Sequence, residues 1–262
     1  MRHGERKRDR LNPRPWHADY FQLRALRVQI AGEIGRHFAG GPPIAVLDVG
    51  CSDRPYEPLF EDVAEHYVGV DIGPGPAADV VASADALPFD DQSFNCVLCT
   101  QALQYMPDPG AAVAEMWRVL RPGGLLLLST HGVSFVDRAL PDLWRWTQHG
   151  LRLLLAEFGA WTRVTVAPAG GVFCAAAYLV GGQVEAASHR AGVTWMSEAI
   201  CLLLNACAWN GDRLTARLFP EIPPDASVNY LAMATRGAGS TGRTQPSLAS
   251  QPCSLGPQLG TR

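Results

Sequence analysis

The segment Ile44-Ala-Val-Leu-Asp-Val49 constrains the fold more than any other part of the chain. It is a nearly continuous apolar run that stops at Gly50. A strand with one wet face alternates apolar and polar residues, whereas an unbroken run suits a strand covered on both sides, as in a parallel sheet. Similar runs recur at Tyr67-Val-Gly-Val70, ending at Asp71, then at Asp79-Val-Val-Ala82, Phe94 to Thr100 and Leu125-Leu-Leu-Leu-Ser-Thr130. A helix is predicted from about Ala111 to Arg121, with Asp108 as its cap, Pro109 in its first turn and Arg121-Pro-Gly-Gly124 as its stop. Weaker strand signals lie near 161–166 and 228–235. Strands alternating with helices predict an α/β, Rossmann-like fold. Its sheet is expected to have seven mostly parallel strands with helices on both faces, and an apolar helical insert before the last strand.

The flanks differ from this centre. Residues 1–43 read as a basic tail followed by a lid helix. The first 14 residues hold six basic and two acidic side chains. Asp19 can cap the helix, and Leu23, Leu26, Ile30 and Ile34 share one face of it. Residues 44–236 read as one domain with the insert at about 172–226. Residues 237–262 carry no acidic residue and little to bury, which predicts a disordered tail. Within the insert, 26 of the 38 residues from Val172 to Trp209 are apolar, and Thr194, Glu198, Cys201 and Asn205 form a narrow polar stripe at helical spacing. A helix apolar on most sides is usually buried. The insert is therefore expected to serve as core or homodimer interface, as a lipophilic acceptor tunnel, or as a surface resting on a membrane.

Charge and cysteine usage exclude several classes. A net charge of −3 and a pI near 6.2 give no global reason to expect a nucleic-acid binder. No apolar run reaches the ~18 residues that cross a bilayer, and the basic N-terminus lacks the apolar stretch of a secretory leader. Seven cysteines, most in apolar runs, suit reduced, buried thiols and a cytoplasmic location, with peripheral contact at the inner membrane face as the variant. Cys96-Val-Leu-Cys99 lies on a predicted strand, where residues three apart point to opposite faces. No metal site is expected there.

In open α/β sheets, ligands bind at the carboxyl ends of the strands, where strand order reverses. The informative residues sit at such ends. They are the turn Asp48-Val-Gly50-Cys51-Ser52, then Asp71 followed by Ile72, then Asp85-Ala86-Leu87, and Thr100-Gln101. Gly50 permits close approach of a ligand to the backbone, and a carboxylate at Asp71 can accept both hydroxyls of a ribose. A nicotinamide dehydrogenase would need G-x-G-x-x-G here for its pyrophosphate. This turn offers one glycine beside an aspartate, which suits a cationic ligand better.

In order, the motifs VLDVGCS, YVGVDI, ADALPFDDQSFNCVLCTQALQYM and VLRPGGLLLLST resemble those of the class I S-adenosylmethionine-dependent methyltransferases, especially the small-molecule branch related to ubiquinone-pathway enzymes. The resemblance implies that Asp48, Gly50, Cys51 and Ser52 cradle the methionine part of S-adenosylmethionine. It further implies that Asp71 and Ile72 hold the ribose, that Asp85, Ala86 and Leu87 frame the adenine, and that Thr100 and Gln101 line the methyl-transfer side. S-adenosylhomocysteine would be the product. The family's glycine-rich turn is represented here by Gly50, Ser52 and Arg54. Arg54-Pro55-Tyr56 resembles a variant in an envelope- and glycan-related bacterial subgroup, as does the run around Trp144 and Trp146.

Methyl transfer is largely a matter of positioning, and a base is needed only when the nucleophile carries a proton. His131, just past the fifth strand, is the candidate base, and Tyr105 the candidate gate or sulfonium contact. Trp144 and Trp146 are candidates for an aromatic wall around the acceptor, with Tyr56 nearby, and Trp16 and Tyr20 for a closing lid. The expected acceptor is a small, glycan-linked or lipid-linked molecule methylated at oxygen. The alternative is a non-catalytic partner subunit that binds the cofactor through a degenerate glycine turn.

Overall fold

The computed structural model describes residues 10–137, 140–220 and 227–238. Seven strands form one sheet: β1 Ile44–Val49, β2 Ala64–Asp71, β3 Val80–Val81, β4 Phe94–Thr100, β5 Leu120–His131, β6 Trp161–Pro168 and β7 Asn229–Arg236. Their spatial order is β3-β2-β1-β4-β5-β7-β6. The first five run parallel, and β7 is antiparallel to both β5 and β6. Strand order reverses between β1 and β4, which opens a crevice at their carboxyl ends.

Alternation along each strand divides the core in two. Leu47, Val49, Val97, Cys99, Leu126 and Leu128 meet helices α2 (Pro109–Val119) and α3 (Gln148–Phe158) on one face. Val46, Cys96, Leu98, Leu125 and Leu127 meet helix α1 (Tyr20–Phe38) on the other through Leu26, Ile30 and Ile34. Leu26 and Ile30 are fully buried, each contributing about 1.5–3 kcal/mol of transfer free energy. Cys96 and Cys99 fall in opposite clusters, as their spacing on a strand requires.

Two caps form as the sequence suggests. Asp108 Oδ1 accepts the Ala111 N–H at 2.9 Å, and Thr147 Oγ1 accepts the Gly150 N–H at 3.0 Å. Asp19 does not cap α1 through its side chain. It lines the crevice instead. Helix α2 stops at Val119, and Arg121-Pro-Gly-Gly124 belongs to β5, because Leu120 already pairs with Phe94 of β4.

The insert folds as two helices, α4 (Val172–Ala191) and α5 (Thr194–Leu218), between β6 and β7. Gly192, at φ +72°, turns the chain between them. Asp212 of α5 caps α4, accepting the N–H groups of Gly171, Phe173 and Cys174 at 3.0–3.1 Å. The polar stripe faces inward. Cys201 and Asn205 are buried, and Asn205 Nδ2 donates to the carbonyls of Pro15 and His17. Small apolar residues, Cys174, Ala177 and Ala208, are buried between the insert and Phe21, but most large apolar side chains of α5 face outward, so the rule that a greasy helix hides its greasy faces fails there. The expected disordered tail lies outside the described residues from 239 onward.

Candidate active site

A crevice of about 990 Å³ opens at the carboxyl ends of β1 to β5, enough for a drug-sized ligand with a second molecule beside it. One half is walled by Gly50, Ser52, Asp71, Ile72, Asp85, Thr100 and Gln101, and the other half includes Tyr105, Asp137, His131 and Asn229. The N-terminal segment covers it with His17, Asp19, Gln22 and Leu23, and α5 contributes Thr194, Ser197 and Glu198.

The turn after β1 is built on left-handed backbone. Gly50 has φ +70°, and Ser52 and Arg54 each have φ +50°. L-residues adopt this region at a cost of roughly 1–2 kcal/mol, so Ser52 and Arg54 keep conformations that glycines would take freely. Gly50 leaves no alternative, since a Cβ there would sit 2.5 Å from Ala102 Cβ. The Gly50 and Cys51 N–H groups both donate to the Val70 carbonyl. Arg54 pairs with Asp79, tying the turn to the start of β3.

Asp71 sits where β2 meets this turn. Its Oδ2 accepts the Ser52 N–H at 2.9 Å and its Oδ1 accepts the Ile72 N–H at 2.8 Å. Each oxygen retains a second lone pair. Asp85 is exposed at the crevice, on a loop fixed from behind. Glu115 accepts the Leu87 N–H at 2.9 Å, and Arg118, paired with Glu115 at both oxygens, donates to the carbonyls of Leu87 and Phe89.

Asp48 lies beneath the turn, 1% exposed, rather than in the crevice wall. Its Oδ2 accepts the Tyr67 hydroxyl at 2.7 Å, while its Oδ1 has no partner. Burial raises its pKa to about 7, against the opposing pull of that hydrogen bond. Cys51 is likewise buried outside the wall, and Ala86 and Leu87 lie beside the lining residues Ser83, Ala84 and Asp85.

On the other half, His131 Nδ1 lies 2.8 Å from Asn229 Oδ1. With that oxygen as acceptor, Nδ1 carries the proton and Nε2 keeps its lone pair. Asn229 in turn donates to Gln22 Oε1 at 3.4 Å. Burial lowers the His131 pKa, partly offset by the Asn229 hydrogen bond. The ring is therefore neutral near pH 7, the form that accepts a proton. Tyr105 Oη donates to Asp137 Oδ2 at 3.1 Å, and burial raises its pKa. Tyr56 also lines the crevice; its buried hydroxyl has no partner, and burial raises its pKa to about 12.

The remaining aromatics are not in the wall. Trp144 donates Nε1 to the Met106 carbonyl at 2.9 Å, and its ring lies 5.9 Å from that of Trp146, which packs on the core. These two fasten the loop after β5. Trp16 lies under the Arg14 guanidinium, and Tyr20 is edge-on to Phe21. The covering segment thus reaches the crevice through His17, Asp19, Gln22 and Leu23 rather than through Trp16 and Tyr20. Sequence reasoning missed Asn229 and Gln22. Both lie on elements it did predict, but no local pattern marks an amide as the partner of a histidine nearly a hundred residues away.

The residues present fit S-adenosylmethionine. Gly50 brings backbone without a side chain to the crevice wall, Asp71 offers paired acceptors, and Gln101 Oε1 is buried without a protein partner. The family described as the methyltransferase domain matches residues 47–128. An uncharacterized methyltransferase of Mycobacterium leprae is 34% identical over 130 residues, covering 44% of this chain and 48% of the relative. One from Mycobacterium tuberculosis is 33% identical over 124 residues, covering 42% and 49%. The chain thus spans about half the length of the curated relatives it matches. Among solved structures, the [4+2]-cyclase SpnF superposes with a TM-score of 0.52 at 19% identity, covering 80% of this chain and 82% of that one. A putative sarcosine dimethylglycine methyltransferase from Galdieria sulphuraria gives 0.51 at 14% identity, covering 82% and 88%. These two likenesses establish the fold, which evidently carries more than one chemistry. The sequence matches point to methyl transfer: residues 47–128 carry the sequence of a methyltransferase domain, and the mycobacterial relatives that share this stretch are named methyltransferases.

Proposed function

We propose that the chain transfers a methyl group from S-adenosylmethionine to an oxygen of a small, glycan-linked or lipid-linked acceptor. The cofactor supplies an electrophilic methyl on a sulfonium. The protein's own work is to bind, orient and deprotonate. Asp71 accepts the ribose hydroxyls, the loop around Asp85 faces the adenine, and the backbone at Gly50 admits the amino-acid part. His131 Nε2 takes the proton that an acceptor hydroxyl gives up, while Asn229 holds the ring in the required tautomer. The acceptor half of the crevice is rich in polar side chains, among them Asp19, Asp137, Glu185 and Glu198. That favours a hydroxyl-bearing acceptor over a purely apolar one. The segment over the crevice limits access of water.

The observation that carries the oxygen assignment is the His131–Asn229 pair in the same crevice as Asp71. It also favours an enzyme over a non-catalytic binding subunit, which has no need of an oriented base. Purified protein incubated with methyl-labelled cofactor and fractionated polar lipids and glycans should label one fraction. His131→Ala should cut that incorporation by about a hundredfold or more and leave the affinity for S-adenosylhomocysteine unchanged. Retained turnover would remove His131 as base. Tight S-adenosylhomocysteine binding with no labelling of any fraction by the unaltered protein would favour the non-catalytic reading.

A further inference from the structure

Helix α5 turns most of its large apolar side chains outward, and α4 adds Val172, Phe173 and Val180. Of the 22 large apolar side chains exposed among the described residues, twelve lie between Val172 and Phe219. On α5 they include Trp195, Met196, Ile200, Leu202, Leu203 and Leu214, with Trp195 69% and Leu203 67% exposed. Scattered exposed apolar residues need no explanation, but a continuous patch marks a contact surface.

Charge indicates what the surface meets. The carboxylates of the helix pair are engaged elsewhere. Glu185 accepts the Ala18 N–H, Asp212 caps α4, and Glu198 lines the crevice. The exposed charges on the two helices are otherwise cationic: Arg190 at the end of α4, and Arg213 and Arg217 in the last turns of α5. The guanidinium groups of Arg24 and Arg213 both lie over the ring of Trp209, at 5.7 and 5.6 Å. The first 14 residues add four further net positive charges in sequence. A two-fold self-association through this face would bring like charges together, whereas an anionic lipid surface neutralises them.

We infer that the outer face of α4 and α5 docks on an anionic lipid bilayer. The helices lie along the headgroup region, with their leucines in the acyl boundary and Trp195, Trp209 and the arginines at the interface. No helix among the described residues is long and apolar enough to cross a membrane, so the contact is peripheral. Thr194, Ser197 and Glu198, on the inner face of α5, then bring a wall of the crevice close to the headgroups. The inference does not depend on the chemistry of the crevice.

The test is co-sedimentation of the full chain with vesicles of phosphatidylcholine alone and of phosphatidylcholine mixed equally with phosphatidylglycerol, paired with sedimentation velocity of the free protein. The expected result is binding to the mixed vesicles that weakens steeply with salt. Trp195→Gln with Leu203→Gln should weaken it at least about tenfold, and Arg213→Glu with Arg217→Glu should also weaken it. All four side chains are exposed, so thermal melts of both variants should match the parent. Absence of binding to mixed vesicles overturns the inference, as does binding that neither pair of substitutions changes. A concentration-dependent dimer that Trp195→Gln and Leu203→Gln dissolve, without vesicle binding, assigns the face to a second copy.

Discussion

Asp48 is a carboxyl held in an environment that opposes its charge. A carboxylate with a pKa near 4 when unfolded is held near 7 by burial under the turn. The folded protein therefore keeps a proton that the unfolded chain has released across the interval from about pH 4 to 7. The stability this confers is complete below pH 4 and lost as pH rises through 7. It amounts to at most about 4 kcal/mol for a three-unit difference. Asp48→Asn removes the titration while keeping an acceptor for the Tyr67 hydroxyl. In the ligand-free protein, this variant should show a flatter melting temperature between pH 4 and 7 and a higher one than the parent above pH 7. A parent-like pH profile would mean that Asp48 is solvated in solution. Sequence alone marks Asp48 as a carboxylate ending a buried strand. It does not show that the side chain turns under the loop instead of into the crevice, because that depends on Tyr67 reaching across from β2.

At the scale of elements, the legible parts are those whose environment is uniform. Strands β1 and β4 are covered on both faces and read as apolar runs. Helices α2 and α3 carry their own caps. The start of β5 was hidden because Arg121-Pro-Gly-Gly124 has the composition of a break, while its strand character comes from pairing with Phe94. The insert was legible as two-faced, with Thr194, Glu198, Cys201 and Asn205 as the distinct stripe. Which face would be buried depended on the partner, and the partner is a polar crevice with the carbonyls of an N-terminal segment. The pairing of α4 with α5 rests on a cap contributed from a distance. Asp212→Ala leaves three N–H groups of the first turn of α4 without their acceptor, at a cost of about 1–2 kcal/mol. Thermal unfolding should register a drop of a few degrees, with S-adenosylhomocysteine affinity nearly unchanged. An unaltered melting temperature would show that water replaces the cap.

The whole molecule joins two surfaces with opposite demands. The crevice gathers polar groups from β1 to β5, the N-terminal segment and α5, and the far side of α5 presents a greasy face. The class of fold and the carboxyl-end positions of Asp71, Asp85, Thr100 and His131 were readable from strand ends. The position of β7 between β5 and β6, and with it the arrival of Asn229 beside His131, was not, since an antiparallel return leaves no mark in a single sequence. Everything proposed for the crevice requires that it hold S-adenosylmethionine through Asp71. Calorimetric titration with S-adenosylhomocysteine tests it most directly, comparing the parent with Asp71→Ala at matched, verified folding. The parent should bind saturably and one-to-one, and the variant should lose that binding. Equal affinity in the two proteins would contradict it.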